Sequence, residues 1–381
     1  MQLGPGVTVL YGDNAQGKTN FLEACYLLAT TRPLHTSTDK EMAGWDASQE
    51  PLPYARVSGH IQSVEGPADL EVVFQASETG IPVGDGAQPA PGPSAMARVP
   101  LQKTYRVNGV RRRAVDMMGR LKVVFFGPED VELVSGAPDL RRRYLDLAAS
   151  QADRRYLRAL QQYRRVIVQR NSLLRRIRDR ETDPSQLPFW DEHLIRTGSA
   201  LLSYRLRMLD DLEETVRRTH AWLADDETPV TMRYQGTVEG EGLETADIAR
   251  GFRKALDARQ QREVQAGQTL VGPHRDDLRF LLRDVDMGVY GSRGQRRTLA
   301  LALKLAEVEY MRKQAGDAPV LLLDDVLSEL DARRRAKLME AVARHEQTLI
   351  TATDLEHFPP AVLARAQLFH VTRGRLEQVA V

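Results

Sequence analysis

The sequence predicts an α/β fold in which one sheet domain is divided by an inserted helical arm. Three observations support this prediction. Close to the start, an apolar run is followed by a glycine-rich loop and a helical pattern. About 300 residues later, a second apolar run ends in two adjacent aspartates, and a long arginine-rich segment with helical periodicity lies between the two runs. Because the two apolar runs are typical of strands in one sheet, the helical segment is an insertion.

The first element is a phosphate-binding loop between a strand and a helix. Residues 12–19 read G-D-N-A-Q-G-K-T, after an apolar run and before a helical pattern at about 20–28. Backbone N–H groups of such a loop, with the N-terminus of the helix, bind phosphate oxygens. We expect Lys18 to reach the β- and γ-phosphates of ATP and the Thr19 hydroxyl to bind Mg²⁺. The candidate ATP-binding residues are Gly12, Asp13, Asn14, Ala15, Gln16, Gly17, Lys18, Thr19 and Asn20.

A strand-rich stretch follows the loop and its helix. Two strand-like runs lie between residues 54 and 76, and residues 77–100 are so rich in Gly, Pro and Ala that they predict a flexible insertion with no assigned role. Asn108-Gly109 is a strong signal for a tight hairpin turn. A buried strand is predicted over residues 121–126.

The arm is predicted to be a long antiparallel helical hairpin. Residues 139–180 show helical periodicity over roughly forty residues, a length of about 60 Å for one helix. A break around Pro184 leads to a second helical run over residues 190–224, and another helix is predicted at 252–264. The heptad seam of the first run consists of Tyr156, Leu160, Tyr163, Ile167 and Leu174.

The arm carries a local excess of positive charge. Thirteen arginines, three aspartates and no lysine lie between Arg141 and Arg180, although the net charge of the whole chain is only +1. A solvated face is the ordinary explanation for a charge run, but charges of one sign with few acidic neighbours favour nucleic acid as a partner. The candidate DNA-binding residues are Arg111, Arg112, Arg113, Arg141, Arg142, Arg154 and Arg155.

A second candidate phosphate site lies late in the chain at the start of an amphipathic helix. We expect Ser292 to be the N-cap of this helix, and its hydroxyl together with the free N–H groups of the first turn would make a second phosphate site. The four residues of this segment are Ser292, Arg293, Gly294 and Gln295.

The apolar strand at residues 320–323 ends in Asp324 and Asp325, which is the Walker B arrangement. We expect Asp324 to hold Mg²⁺ and Asp325 to orient or deprotonate the attacking water. The candidate catalytic residues are therefore Lys18 and Asp325, and the candidate metal ligands are Thr19 and Asp324.

The order of these motifs is the plan of an ABC-type ATPase head that is split by an arm. The predicted parts are residues 1–130 for the N-terminal head, 131–268 for the helical arm and 269–381 for the C-terminal head. In this class the segment at Ser292 does not reach its own P-loop and contacts the γ-phosphate bound to a second molecule. ATP would then hold a homodimer together, and hydrolysis would release it.

Six segments give the sequence a resemblance to the RecF family, bacterial recombination-mediator ATPases related to SMC proteins. The resemblance covers nearly the whole chain and implies an ABC/SMC-like P-loop ATPase head with an inserted α-helical arm domain. The segment 272–278, G-P-H-R-D-D-L, is the most specific because generic ABC ATPases lack it. The other segments are 12–20, 126–130, 141–146, 292–298 and 323–331.

The resemblance implies a function in recombinational repair. It implies ATP-dependent dimerisation on double-stranded DNA, at or near junctions with single-stranded gaps, with slow DNA-stimulated ATP hydrolysis. It also implies cooperation with RecR and RecO and help in loading RecA. Ser292 to Gln295 would form the signature motif, and the D-loop would contain Ser328 and Asp331. Asp325 stands where many ABC ATPases have a glutamate, and its shorter side chain suits slow turnover.

Two alternatives remain open in the sequence, and one departure from the family stands beside them. A nucleotide-binding subunit of an ABC transporter would need a switch histidine where Thr353-Asp354 stands. A general SMC-type chromosome protein would need longer coiled coils and a hinge. The family usually has a strand-rich segment before the P-loop strand, whereas only residues 1–6 precede that strand here. We expect either that the chain starts further upstream or that the head lacks an edge, and contacts to the nucleotide base are not assigned.

Composition limits the cellular setting that we expect. No apolar run approaches the ~18 residues of a membrane span. The single cysteine, Cys25, excludes an internal disulfide. We expect a cytoplasmic bacterial protein that makes no contact with a membrane.

Overall fold

The computed structural model describes residues 1–34, 54–76, 101–239 and 242–379, so the predicted insertion at 77–100 lies outside the described residues. The strands are β1 Gly6–Tyr11, β2 Tyr54–Ile61, β3 Ala68–Ala76, β4 Leu101–Val107, β5 Val110–Arg112, β6 Val123–Phe126, β7 Val230–Gln235, β8 Asp277–Leu282, β9 Val285–Asp286, β10 Val320–Asp324, β11 Gln347–Ala352, β12 Gln367–Thr372 and β13 Arg375–Val379. The helices are α1 Lys18–Thr30, α2 Ala114–Met117, α3 Glu132–Ser135, α4 Pro138–Ala152, α5 Arg154–Arg178, α6 Leu187–Ala224, α7 Thr245–Ala266, α8 Met287–Tyr290, α9 Arg293–Ala315, α10 Ala332–Val342 and α11 Pro360–Leu363.

The first compact unit contains residues 1–125, 319–325 and 345–381. Its larger sheet has the strand order β13-β12-β1-β11-β10-β6, and β1 is parallel to both of its neighbours. A central parallel strand is covered on both faces of its sheet, so successive side chains are buried rather than alternately exposed. This explains why the side chains of Val7, Thr8, Val9 and Leu10 are all buried. The sheet confirms the prediction that the strand before the glycine-rich loop and the strand ending at Asp324 belong together.

A second, antiparallel sheet of the same unit has the order β2-β3-β4-β5. Its last hairpin turns at Asn108 and Gly109, whose φ values of 53° and 75° are both positive, as a tight hairpin turn requires. The hairpin prediction is therefore confirmed. The inner face of this sheet packs on Leu27 and Leu28 of α1, which ties the helix behind the loop to a sizeable apolar cluster.

The second compact unit contains residues 126–318 and 326–344 and is mainly helical. The prediction of one helix over residues 139–180 is wrong, because the chain breaks at Asp153 into α4 and α5. Asp153 has extended backbone angles, and its carboxylate accepts a hydrogen bond from the N–H of Arg155 at 2.7 Å. Aspartate is a preferred N-cap, so it ends one helix and begins the next. The 25 residues of α5 span about 37 Å rather than 60 Å.

The helical hairpin itself is present as α5 and α6, which pack along each other. Tyr156, Leu160, Tyr163 and Leu174 of the predicted seam are buried, but Ile167 is partly exposed and its neighbour Val166 is buried. Residues 269–318 and 326–344 group with these helices rather than with the large sheet, a division that differs from the predicted one. Among the described residues, no helix is both long enough and apolar enough to cross a membrane.

Candidate nucleotide-binding site

The loop between β1 and α1 has the curled backbone of a phosphate-binding loop. Gly12 has a φ of 146°, and a Cβ atom there would lie 2.5 Å from the carbonyl oxygen of Val371. Gly17 has a φ of 98°, and α1 begins at the next residue. Only glycine adopts these angles readily, so the two glycines of the motif stand where the backbone needs them.

The turn between β12 and β13 braces this loop from the other side. The N–H of Gly374 donates to the carbonyl oxygen of Gln16 at 2.8 Å, and the N–H of Arg373 donates to the Gln16 side-chain oxygen at 2.8 Å. Sequence reasoning missed this contact. A glycine-containing turn is visible at residues 373–374, but nothing local indicates which loop it touches.

Lys18 lies buried in the first turn of α1, within the curl of the loop. Its ammonium group donates to the carbonyl oxygens of Gly12 at 2.6 Å and Asp13 at 2.8 Å. Both acceptors are neutral, and among the described residues no carboxylate pairs with Lys18. The positive charge is therefore available to an anion that enters the loop.

Thr19 and Asp324 meet although they are 305 residues apart in the chain. The Thr19 hydroxyl lies 3.0 and 3.1 Å from the two carboxylate oxygens of Asp324. Thr351 of β11 also donates to Asp324, at 2.6 Å. Thr351 is the register partner of Asp324 across the β10–β11 pair, which is why it reaches the carboxylate. Sequence reasoning missed Thr351, since strand register is not written in the local pattern.

Asp325 follows directly in an uncommon backbone conformation. Its φ is 47°, and its N–H donates to the Thr351 hydroxyl at 2.9 Å. Aspartate tolerates the left-handed region better than most residues, and such angles are frequent at functional sites. The same threonine therefore fixes both aspartates at the end of β10.

The oxygen donors at this point fit Mg²⁺. A threonine hydroxyl and one carboxylate are hard oxygen ligands, and Mg²⁺ commonly binds through one or two carboxylates together with phosphate and water oxygens. Across the described ranges there is no cluster of three or more His, Cys, Asp or Glu residues that could hold a metal alone.

The second predicted phosphate segment lies in the other unit, at the start of α9. The Ser292 hydroxyl accepts from the N–H of Gln295 at 3.2 Å, and the Gln295 side chain accepts from the N–H of Ser292 at 2.9 Å. This reciprocal capping box confirms Ser292 as the N-cap. Gly294 lies in the first turn, and an added Cβ there would meet open space.

Two arginines tie the segment 327–331 to neighbouring helices of the same unit. Arg297 of α9 donates to the Glu329 carbonyl oxygen at 2.7 Å and also contacts the Glu329 carboxylate. Arg335 of α10 donates to the carbonyl oxygens of Leu327 at 3.2 Å and Leu330 at 3.0 Å. Within this segment Ser328 lies in a short 3₁₀ turn, and the Asp331 carboxylate caps α10 by accepting from the N–H of Arg334 at 2.8 Å.

The candidate DNA-binding arginines do not form one group. Arg111 and Arg112 are exposed on β5, and exposed Arg113 pairs with Asp116 at 3.0 Å. Exposed Arg154 and Arg155 stand at the start of α5, where Arg155 pairs with Asp153.

Arg141 and Arg142 are turned to the interior instead. Arg141 is 3% exposed and makes a two-pronged ion pair with Asp277, at 2.7 and 3.0 Å. Half-buried Arg142 donates to the Asp276 carbonyl oxygen at 2.9 Å. The expectation that Arg141 contacts DNA is therefore corrected, because its guanidinium is already committed to a buried carboxylate.

The segment G-P-H-R-D-D-L forms the centre of a buried hydrogen-bond network rather than part of the nucleotide-binding loop. The network is organised by Arg205 of α6, which is 2% exposed. Its four hydrogen bonds go to the Asp146 carboxylate at 2.7 Å, the Pro273 carbonyl at 2.7 Å, the Tyr156 hydroxyl at 3.1 Å and the Tyr234 hydroxyl at 3.3 Å.

The remaining polar groups of the segment complete this network. The Asp276 carboxylate accepts from the Tyr234 hydroxyl at 2.9 Å and from the N–H of Thr237 at 2.7 Å. Burial lowers the pKa of His274 to about 4, so the ring is neutral near pH 7. His274 Nδ1 lies 2.6 Å from the Tyr163 hydroxyl. The segment 272–278 thus contacts helices α4, α5 and α6 and strand β7 and links them to one another.

A second buried cluster lies on α9 beside the segment 126–130. Lys304 lies 3.3 Å from Asp130 and 3.7 Å from Glu307. Burial, with a smaller contribution from the Asp130 charge, raises the pKa of Glu307 to about 7. Glu307 Oε2 and the nearby Tyr144 hydroxyl have no hydrogen-bond partner among the described residues. Glu307 therefore titrates near neutral pH.

Together the parallel sheet, the braced glycine loop, and the meeting of Thr19 with Asp324 define an ABC/SMC-like P-loop head. Residues 1–375 match the family model described as the RecF/RecN/SMC N terminal domain. The chain belongs to the RecF family of DNA replication and repair proteins.

Curated relatives and solved structures agree with this assignment. The chain is 42% identical to the DNA replication and repair protein RecF of Chloroflexus aggregans, over 98% of this chain and 94% of the relative. It is 37% identical to RecF of Halalkalibacterium halodurans over the same shares. A solved structure of the recombination mediator protein RecF-ATPrS in the RecFOR pathway is 29% identical, has a TM-score of 0.82, and is matched over 94% of its chain and 100% of this one.

Proposed function

We propose that the protein is an ATP-dependent, DNA-binding dimer that acts in recombinational repair of single-stranded gaps. The observation that supports this most directly is the meeting of Thr19 and Asp324 beside the buried Lys18 ammonium. These three groups are what a nucleoside triphosphate with Mg²⁺ requires from a P-loop protein. The names of two solved relatives, RecF-ATPrS and RecF-ATP, support ATP as the nucleotide.

Different residues of the chain would bind the phosphates, hold the metal ion and accept the proton of the attacking water. Lys18 and the loop N–H groups bind and orient the β- and γ-phosphates. Thr19 and Asp324 would hold Mg²⁺, which when bound would supply positive charge to the phosphates. Asp325 orients the attacking water and accepts its proton. Because Asp325 has one methylene fewer than glutamate, we propose that hydrolysis is slow. We also propose that DNA stimulates it, as the resemblance to the RecF family implies.

A second copy of the chain completes the site in this proposal. The N-terminus of α9, from Ser292 to Gln295, offers N–H groups and a hydroxyl to the γ-phosphate held by the partner. Ser328 and Asp331 of the D-loop would face the same nucleotide. ATP then favours the dimer, and hydrolysis releases it.

The proposed partners follow from the family. The RecFOR pathway named for the solved relatives supports cooperation with RecR and RecO, and the resemblance extends this to loading of RecA. The DNA is double-stranded, at or near a junction with a single-stranded gap. Phosphate contacts by exposed arginines such as Arg111, Arg112, Arg154 and Arg155 would dominate affinity, with little sequence preference and a steep salt dependence.

Lys18→Ala tests the proposal through dimerisation. We expect ATP with duplex DNA to convert the wild-type protein from monomer to dimer, without any membrane component, in sedimentation experiments. The variant should remain monomeric, because losing a charge-assisted contact to phosphate costs about 1.5–3 kcal/mol of ATP binding. Lys254→Ala, at an exposed position on α7, is the control and should dimerise normally. A wild-type protein that stays monomeric with ATP and DNA would overturn the proposal.

A further inference from the structure

The outward face of α5 carries a second heptad pattern, opposite the buried seam. Successive positions are spaced by four, four, three, four, three and four residues, and every one of these side chains is exposed. We name this set the arginine stripe: Arg154, Arg158, Gln162, Arg165, Gln169, Ser172 and Arg176. All seven side chains can donate hydrogen bonds, and none carries a negative charge.

The composition of α5 differs from that of an ordinary solvated helix. Its 25 residues contain nine arginines and no acidic residue, whereas the 38 residues of α6 contain five arginines and six acidic residues. Exposed helices normally place acids three or four positions from their cations. On α5 that compensation is missing.

The acidic residues around α5 are mostly engaged by arginines beside the stripe. Asp153 pairs with Arg155 at 2.9 Å, Asp146 with Arg164 at 3.0 Å, and Asp179 with Arg178 at 2.9 Å. Within the stripe, Arg176 lies 3.8 Å from Glu181.

Among the described residues, two arginines near the middle of the stripe have no acidic partner, unlike the paired arginines just named. In the part of the chain that the structure describes, Arg158 and Arg165 form no ion pair and are exposed. These two guanidinium groups are therefore open to an external anion.

We infer that the arginine stripe docks the phosphate backbone of double-stranded DNA. The inference rests on the proposed DNA-binding function and assigns it a surface. From Arg154 to Arg176 the helix rises by about 33 Å, close to one turn of B-form DNA at roughly 34 Å. Arginine binds phosphate in two-pronged geometry, and the Gln and Ser side chains add donors between the charges.

The stripe suits a duplex better than a single strand. Proteins that bind single strands stack bases on exposed aromatic side chains. The stripe contains no aromatic residue, and the two tyrosines of α5, Tyr156 and Tyr163, are buried on the opposite face. A row of cations without a stacking surface fits a backbone whose bases are already paired.

A salt titration of the full-length protein on a blunt DNA duplex, with ATP, tests the inference. The variant is Arg158→Gln with Arg165→Gln, and the plot is log affinity against log salt concentration. Each lost phosphate contact reduces the slope by about 0.9, so we expect a slope shallower by about 1.8 and weaker binding at low salt. ATP binding and the unfolding midpoint should stay at wild-type values.

The matched control is Arg250→Gln with Arg253→Gln on α7, where both arginines already pair with acids, Asp247 and Glu192. This control should keep the wild-type slope. Equal slopes for the wild type and the stripe variant would overturn the inference, even if the variant lost binding to polyglutamate, because the stripe would then fit an acidic protein. If the wild type itself failed to bind the duplex, the proposed function would fail instead.

Discussion

The nucleotide-binding loop and the mainly helical unit each contain a buried cation, but the partners of these two cations differ. Lys18 in the loop has two neutral partners, the backbone carbonyls of Gly12 and Asp13. Arg205 in the arm uses four hydrogen bonds, one of them to the Asp146 carboxylate. The charge of a cation that is held by neutral groups can still attract an anionic ligand. A cation that is paired with a buried carboxylate instead stabilises the folded structure.

Arg170 shows the second behaviour at another point of the arm. It is fully buried and donates to Asp191 at 2.8 Å, Thr269 at 2.9 Å and Glu263 at 2.6 Å. Breaking such a pair is costly because the remaining charge is left without compensation. The arm therefore uses charge to fix its helices, and the loop uses charge to bind.

The comparison is tested most strongly by Arg205→Met. This variant keeps much of the side-chain volume but removes the buried guanidinium from Asp146, whose remaining ion-pair partner is the half-exposed Arg164 at 3.0 Å. The free energy of unfolding should therefore fall by about 3 kcal/mol. Urea denaturation monitored by circular dichroism measures it. Arg207→Met, two residues along α6 and half-exposed beside Glu244, should cost no more than about 1 kcal/mol. Similar losses for both variants would contradict the assignment of Arg205 to the fold.

Asp325→Asn tests the opposite half of the comparison, where polar groups serve the ligand. Removing the carboxylate base should reduce ATP hydrolysis by about 100-fold or more. Dimers should still form with ATP and DNA but dissociate slowly, and the unfolding midpoint should change little. Release of phosphate and the dimer lifetime are the measurements. Hydrolysis at the wild-type rate would show that another group accepts the proton.

Glu307→Gln concerns a buried carboxyl group that is neither held by neutral partners, as Lys18 is, nor fully paired, as Arg205 is. Lys304 compensates its charge only partly. The pKa of Glu307 rises from 4.5 to about 7 on folding, so the folded state keeps a proton that the unfolded state loses. The wild-type protein should therefore lose stability as the pH rises from about 4.5 to about 7, and stay at the lower value above that range.

The glutamine variant should lack this loss. We expect equal thermal midpoints for the two proteins near pH 4.5 and a higher midpoint for the variant at pH 8. Glu309→Gln, exposed on the same helix and paired with Arg218, is the control. A variant that is less stable than the wild type at pH 8 would show that the Lys304 pair outweighs burial.

Much of the nucleotide-binding site could be predicted from the sequence. The two glycines, Lys18 and Thr19 are adjacent in the chain, and the strand before Asp324 has its own apolar pattern. The Ser292 cap was equally visible, because a capping box involves residues only three positions apart. Thr351 and the turn at residues 373–374 were not visible, since their contacts depend on strand register and on packing between distant segments.

The arm shows where local reasoning stops. The sequence shows the arginine excess between residues 141 and 180, but these arginines make different contacts in the structure. Arg141 pairs with a carboxylate 136 positions away, and Arg170 with one 93 positions away, while Arg158 and Arg165 face outward. A count of charges cannot separate these cases. Likewise, Asp153 ended a helix inside a continuous periodic pattern because its side chain caps α5.

The sequence by itself determined the strand–loop–helix of the P-loop, the aspartates at the end of β10, and the helical hairpin. Each is specified by neighbours within a few residues, through backbone geometry or periodic burial. Only the tertiary structure decided which charged groups are buried and paired. That outcome depends on partners brought together by the whole fold, because in the low dielectric of the interior a charge needs hydrogen bonds or an ion pair to offset its lost hydration.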